Sequence, residues 1–180
     1  MREQRAHMAR LVVLAGLPGV GKSTLAREVV RRANFMWLRI DTMDQAIWSS
    51  GSAPEDLQDW TYRAAQAVAA DNLLLGRDVL ADCVNDWQEA RAGWENAAAR
   101  GNAELVWIEV ACGDPAEHRH RVETRVSDVP GLKPPDWAAV VARRYDQWRT
   151  DPIRIDTAGR TVEASALEVL SALHTGSVGA

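Results

Sequence analysis

Gly16-Leu17-Pro18-Gly19-Val20-Gly21-Lys22-Ser23, followed by Thr24, has the pattern G-x-x-x-x-G-K-S. Glycines at 16, 19 and 21 let successive backbone N–H groups turn inward around a chain of phosphates. A helix opening at Ser23 aims its positive dipole end at the same phosphates. Lys22 then reaches the β- and γ-phosphates, and Ser23 offers its hydroxyl to Mg²⁺. The context agrees with the letters, because an apolar run of strand length precedes the motif and a helical pattern follows it. ATP and Mg²⁺ are therefore the expected cofactors, with Gly16 to Thr24 as the phosphate cradle.

The use made of the γ-phosphate depends on residues elsewhere. No N-K-x-D segment occurs, which removes the base reader of a switch GTPase, and nothing supplies the small helical subdomain of a ring ATPase. A small kinase needs an acid to orient the attacking hydroxyl, a second acid in the Mg²⁺ shell, and arginines to neutralise developing charge. Asp41 lies at the carboxyl end of the second apolar run, where open parallel sheets place their ligands, and Asp44 follows one helical turn later. Asp41 in D-T-M-D also fits a helix N-cap. Asp82 ends the third run and suits magnesium binding through water, or a turn. Arg119, Arg121 and Arg125 precede a proline-rich stretch; Arg121 and Arg125 share a helix face, and all three also fit a solvated charge run.

Elements that would position these residues alternate along the chain. Arg10–Ala15, Met36–Ile40, Asp78–Cys83, Glu104–Ala111 and Ile153–Ile155 read as five strands. Helical patterns cover Ser23–Ala33, Pro54–Leu75, Asp86–Arg100, Pro115–Arg125, Pro135–Trp148 and Val162–Leu173, the last capped by Thr161. The β-α rhythm implies one α/β domain over residues 1–180, a parallel sheet with helices on both faces. Ser127–Pro135 holds three of the seven prolines and must be a loop, fitting either a lid or a stiff connection.

Composition narrows the partners. The 180 residues carry 21 Lys plus Arg against 25 Asp plus Glu, a formal charge of −4, which disfavours a nucleic-acid backbone as the main ligand. Cys83 and Cys112 form no C-x-x-C pair, so neither a disulfide framework nor a zinc site is expected and a reducing cytoplasm fits. Met1–Arg10 is basic, but the apolar run behind it is short for a signal peptide and leads into the phosphate motif. No stretch has the length of a membrane span.

Five segments in order, G-L-P-G-V-G-K-S-T, L-R-I-D-T-M, V-L-A-D-C-V-N, H-R-H-R-V-E-T-R and R-Y-D-Q-W-R-T-D-P-I-R-I-D-T, span residues 16–157. In this combination the chain resembles the small P-loop kinases grouped with the AAA-type ATPases, including chloramphenicol phosphotransferase-like, gluconate kinase-like and polynucleotide kinase-like proteins. The resemblance implies a three-layer P-loop NTPase fold, strand order 2-3-1-4-5, with a short lid near 118–136. It implies ATP-dependent phosphorylation of a hydroxyl on a small molecule, and a monomer or homodimer is expected. Asp41 would orient the acceptor, Arg121 and Arg125 would clamp the phosphate, and the Arg160 neighbourhood would border the adenine. Such kinases build their acceptor site between the second and third strands, which here holds Trp48, Trp60 and Tyr62; these fit a stacking wall or core packing. Asn85 and Arg91 are further acceptor candidates. Trp107, Trp87 and Trp94 read more simply as core, the last two sharing a helix face. A regulatory ATPase acting through a protein partner and a kinase of nucleotide or polynucleotide ends are the rival readings.

Overall fold

A computed structural model describes residues 8–51, 57 and 59–175. Five strands, β1 (Arg10–Ala15), β2 (Phe35–Arg39), β3 (Asp78–Asp82), β4 (Glu104–Ala111) and β5 (Ile153–Asp156), pair in parallel in the order β2-β3-β1-β4-β5. Between and after them lie α1 (Lys22–Arg32), α2 (Ile40–Trp48), α3 (Trp60–Leu74), α4 (Gln88–Arg100), α5 (Pro115–Thr124), α6 (Trp137–Val141) and α7 (Val162–Thr175). The fold is the expected P-loop α/β architecture, strand order included.

Side chains alternate across a strand, so a central strand buried on both faces must be apolar at every position. β1 meets that demand. Leu11 and Val13 pack with Val79, Ala81 and Trp94 under α3 and α4, while Val12 and Leu14 pack with Leu80, Ile108 and Ile155 under α1 and α7. Each such buried aliphatic side chain contributes about 1.5–3 kcal/mol. The polar residues are thereby left to the strand ends, and the sheet register sets Leu14, Asp82 and Arg39 side by side on adjacent strands.

One helix expectation is corrected. The pattern over Pro135–Trp148 yields only one short helix, Trp137–Val141, capped by Asp136 Oδ1 accepting from the Ala139 amide at 2.8 Å. Beyond it the Asp146 amide donates to the Asp86 carbonyl at 2.8 Å and not to a helical turn, and the carbonyls of Asp146 and Gln147 accept from Arg91 at 3.0 and 3.1 Å. Arg91 is itself buried and stacked 3.9 Å over the ring of Trp148. The helix predicted from Pro54 is seen as Trp60–Leu74, and its expected first turn lies outside the described residues. At the last helix Thr161 caps as predicted, its Oγ1 accepting from the Ala164 amide at 3.2 Å.

Candidate active site

The turn from β1 into α1 is constrained from both sides. Gly16 has φ +135°, and a Cβ there would fall 2.1 Å from the Val110 carbonyl oxygen. Gly19 has φ +88°, and its Cβ would meet the Val122 side chain of α5 at 2.4 Å. Glycine is thus required by the backbone angle and by the close approach of β4 and α5. The His118 ring, 2.9 Å from the Pro18 carbonyl, adds a second tie between α5 and the loop.

Lys22 is nearly buried and donates through Nζ to Gly16 O at 2.7 Å and Leu17 O at 2.9 Å. Burial lowers its pKa, opposed by the carboxylates of Asp82 and Asp41. Asp82, only 3% exposed, is pushed up by burial and held down by Lys22, the Ser23 hydroxyl and Arg39. Its Oδ2 is buried and has no hydrogen-bond partner among the described residues. A serine hydroxyl beside such a carboxylate, with phosphate oxygens completing the shell, fits the hard oxygen chemistry of Mg²⁺. No group of three or more His, Cys, Asp or Glu side chains that could hold a metal ion occurs among the described residues.

One cavity of about 600 Å³ collects many of the residues singled out in the sequence. Pro18, Gly19, Gly21, Lys22, Ser23 and Thr24 form its floor, and Asp41, Asp82, Arg121 and Arg125 stand in its walls. Arg160 lines it as well, held to Glu168 and to the Asp156 carbonyl. Leu17 is packed against the core below α1, and Val20 is buried there. Gly16 stands at the foot of the loop, its amide donating to the Val84 carbonyl at 3.1 Å.

The two aspartates of D-T-M-D part company. β2 runs straight into α2, whose N-cap is Arg39, so Asp41 sits in the first turn and is not the cap. Asp41 lines the cavity; Asp44 does not, and burial raises the pKa of its half-buried carboxyl. The arginines divide likewise. Arg119 faces outward, paired with Glu123 at 2.8 Å. Arg121 lines the cavity while anchored to Thr157, donating to its Oγ1 at 2.8 Å and its carbonyl at 2.9 Å, and to Glu117. Arg125 is half-buried with a buried Nε that has no partner among the described residues, and burial lowers its pKa against the pull of Asp41.

Asn85 and Arg91, the expected acceptor contacts after Asp82, are instead bonded within the fold. Asn85, fully buried with φ +54°, donates through Nδ2 to Leu14 O at 2.7 Å and accepts from Trp94 Nε1 at 3.0 Å, while its carbonyl accepts from Arg91 Nε at 2.9 Å. Both Asn85 and Arg91 are consumed in holding the fold together. Tyr62 is buried edge-on against Trp87, at 4.7 Å between centroids, and Trp48 and Trp60 are exposed outside the cavity. Trp107 and Trp94 are core, as their positions in the sequence suggest. The sequence reading missed Arg39 and Asp128, which both line the cavity and pair with each other. An arginine closing the apolar run F-M-W-L two residues before Asp41 was the available signal.

A parallel β2-β3-β1-β4-β5 sheet with this glycine-rich turn beneath a cavity defines the P-loop NTPase fold. The chain belongs to the AAA domain family, whose model matches residues 11–147. Among solved structures it is similar to a Mycobacterium tuberculosis APS kinase in complex with AMPPNP and APS, with 18% identity and TM-score 0.69, covering 93% of this chain and 98% of that one. It is also similar to a gluconokinase from Sinorhizobium meliloti, with 16% identity and TM-score 0.60, covering 96% and 97%. A third is Chaetomium thermophilum Kti12 in complex with ADP-AlF3, with 20% identity and TM-score 0.66, covering 94% and 100%. No curated protein matches the chain. No helix among the described residues is long and apolar enough to cross a membrane.

Proposed function

We propose that the protein is an ATP-dependent kinase that moves the γ-phosphate of Mg·ATP to a hydroxyl of a small molecule in the cytoplasm. The observation that carries this reading is the convergence of Lys22, Ser23, Asp41, Asp82, Arg121 and Arg125 on one cavity. In this reading the loop amides and Lys22 hold the triphosphate, which requires the Lys22 ammonium to leave the Gly16 and Leu17 carbonyls for phosphate oxygens. Ser23 and Asp82 would hold Mg²⁺, which when bound draws charge from the β- and γ-phosphate oxygens. Asp41 accepts the proton of the attacking hydroxyl as that oxygen bonds to the γ-phosphorus and the bridge to ADP breaks. Arg121, rigidly placed by Thr157, and Arg125 stand ready to balance charge on the transferring group.

Kinases of very different acceptors share this fold, so the acceptor must be found by assay. ADP release with Mg·ATP is measured against sugars, nucleosides, aminoglycosides, phenicols and short oligonucleotides. Strong stimulation by one hydroxyl compound is expected. A second reading, a slow ATPase that signals to a protein partner, is favoured by the exposed apolar side chains Trp48, Trp60, Leu74 and Leu75 on α2, α3 and the turn that follows. It predicts a flat, feeble rate with every compound.

A further inference from the structure

Arg39 ends β2 with its side chain 13% exposed, and it is committed on three sides. One edge donates from Nη1 and Nη2 to the two carboxylate oxygens of Asp128 at 3.0 and 2.8 Å. Its face lies 5.8 Å from the ring of Trp37, with Arg27 on the same ring at 5.9 Å and also bonded to Asp128. The remaining edge presents Nε to Asp82 Oδ2 at 3.8 Å, an ion-pair distance. Neither of those two buried atoms has a hydrogen-bond partner among the described residues.

Asp128 belongs to the proline-rich loop between α5 and α6, and Ser127, Asp128, Leu132 and Lys133 of that loop line the cavity. The loop touches the body at a second point, where a Cβ on Gly131 would lie 2.7 Å from Gln45 Nε2 of α2. It begins next to Arg125, so its position also sets where that guanidinium stands. A two-bonded arginine–carboxylate pair is the strong, directional form of ion pair, and it is what a loop needs to be held in one place.

We propose that Arg39 is a positioning residue: through Asp128 it holds the loop over the phosphate cavity, and through Asp82 it ties that closure to the carboxylate of the magnesium-binding side. A cation at Asp82 takes over part of the charge that Arg39 balances and leaves the guanidinium committed to Asp128. Magnesium nucleotide therefore tightens the loop. This link to phosphate chemistry rests on the kinase reading, whereas the holding of the loop does not.

Hydrogen exchange of the amides between Val126 and Lys133, with and without Mg·AMPPNP, tests it on the full chain. In wild type, Mg·AMPPNP is expected to slow exchange. Asp128→Asn, at an exposed position, is expected to speed loop exchange at least tenfold while leaving the amides of β1 unchanged. Arg39→Lys keeps a cation beside Asp82 but lacks the two-bonded edge; it is expected to loosen the loop equally and to bind Mg·AMPPNP within a few-fold of wild type. Arg39→Gln should also abolish the magnesium response, and combining it with Asp128→Asn should loosen the loop no further. Loop exchange as slow as wild type in both Asp128→Asn and Arg39→Lys overturns the proposal, as does full additivity of the pair. With a turned-over acceptor, Asp128→Asn should lower kcat at least tenfold with KM for ATP within twofold, and unchanged kcat overturns the positioning role. Wild type that turns over no acceptor counts against the kinase reading instead, and the exchange data still decide the assignment of Arg39.

Discussion

The ammonium of Lys22 donates to the carbonyl of Gly16 at 2.7 Å, so the phosphate loop is closed on itself by the side chain that would bind phosphate. Burial in that position lowers the Lys22 pKa, and Asp82 and Asp41 oppose the shift. Replacing Lys22 with Met removes both the internal tie and the phosphate contact. Mg·ATP affinity is expected to fall at least tenfold and turnover by about 10²-fold or more, the scale of a lost electrostatic stabiliser. Calorimetric titration with Mg·AMPPNP, together with far-UV circular dichroism to show an intact fold, checks this.

Asp41 and Asp44 separate by where they point. Asp41→Asn is expected to keep nucleotide affinity within a few-fold and to lose about 10²–10⁴-fold in transfer, the range of general acid–base catalysis. Asp44→Asn, which lies outside the cavity lining, should leave transfer within a few-fold. Single-turnover rates at saturating Mg·ATP distinguish the two, and equal losses would remove the distinction drawn from the cavity.

Gly19 is held where α5 crosses the loop. Gly19→Ala must place a methyl 2.4 Å from Val122 Cγ2 at φ +88°, so either the loop or α5 moves. Nucleotide affinity should drop more than tenfold, with a loss of stability of about 1–3 kcal/mol from strain at a positive φ. Gly51 also has a positive φ, but no atom of the described residues lies within 4 Å of the place its methyl would take. Gly51→Ala is therefore the control and should leave binding unchanged.

Asn85 and Arg91 form a structural post between β1, α4 and the segment after α6. Asn85→Ala leaves the Trp94 indole N–H without its buried acceptor, and about 2–4 kcal/mol of stability should go with it. Urea unfolding monitors the loss, while KM values in the surviving folded fraction should be unaffected.

Asp128 is the titrating end of the loop contact. The hydrogen bond from Arg39 holds its carboxyl at about 2, below the ordinary value of 3.8. A carboxyl lowered on folding adds stability that is fully present above its unfolded value and is lost as pH falls through its folded one. The contribution is therefore intact above about pH 4 and disappears toward pH 2. It should be small, because Asp128 is about half exposed to solvent. Subtracting the acid-unfolding curve of Asp128→Asn from that of wild type isolates it.

Much of this arrangement is legible in the chain. The continuous apolar run Leu11–Ala15 followed by G-x-x-x-x-G-K-S dictates a central buried strand and a phosphate turn, and both appear where the pattern puts them. Asp82 is legible as a carboxylate ending an apolar run, because only the strand end escapes the core. Pairings across long sequence distances are not legible in this way. Arg39 meets Asp128 across 89 residues, and Asn85 meets Leu14 across 71. Asn85 reads as a polar residue near a sheet edge, yet its αL backbone turns its side chain back into the core. The helical pattern after Pro135 fails for a similar reason, since the Asp146 amide donates to the distant Asp86 carbonyl at 2.8 Å and not to a carbonyl one helical turn back.

Transfer to a hydroxyl rather than to water is what separates a kinase from a slow ATPase here. ATP labelled at the γ-phosphate is incubated with Mg²⁺, the stimulating compound from the ADP-release screen, and either wild type or Asp41→Asn. Label recovered on the organic acceptor in equal amount to ADP, and lost in Asp41→Asn, is the predicted result. Label recovered only as inorganic phosphate, at one slow rate whatever compound is present and unaltered by Asp41→Asn, would contradict it.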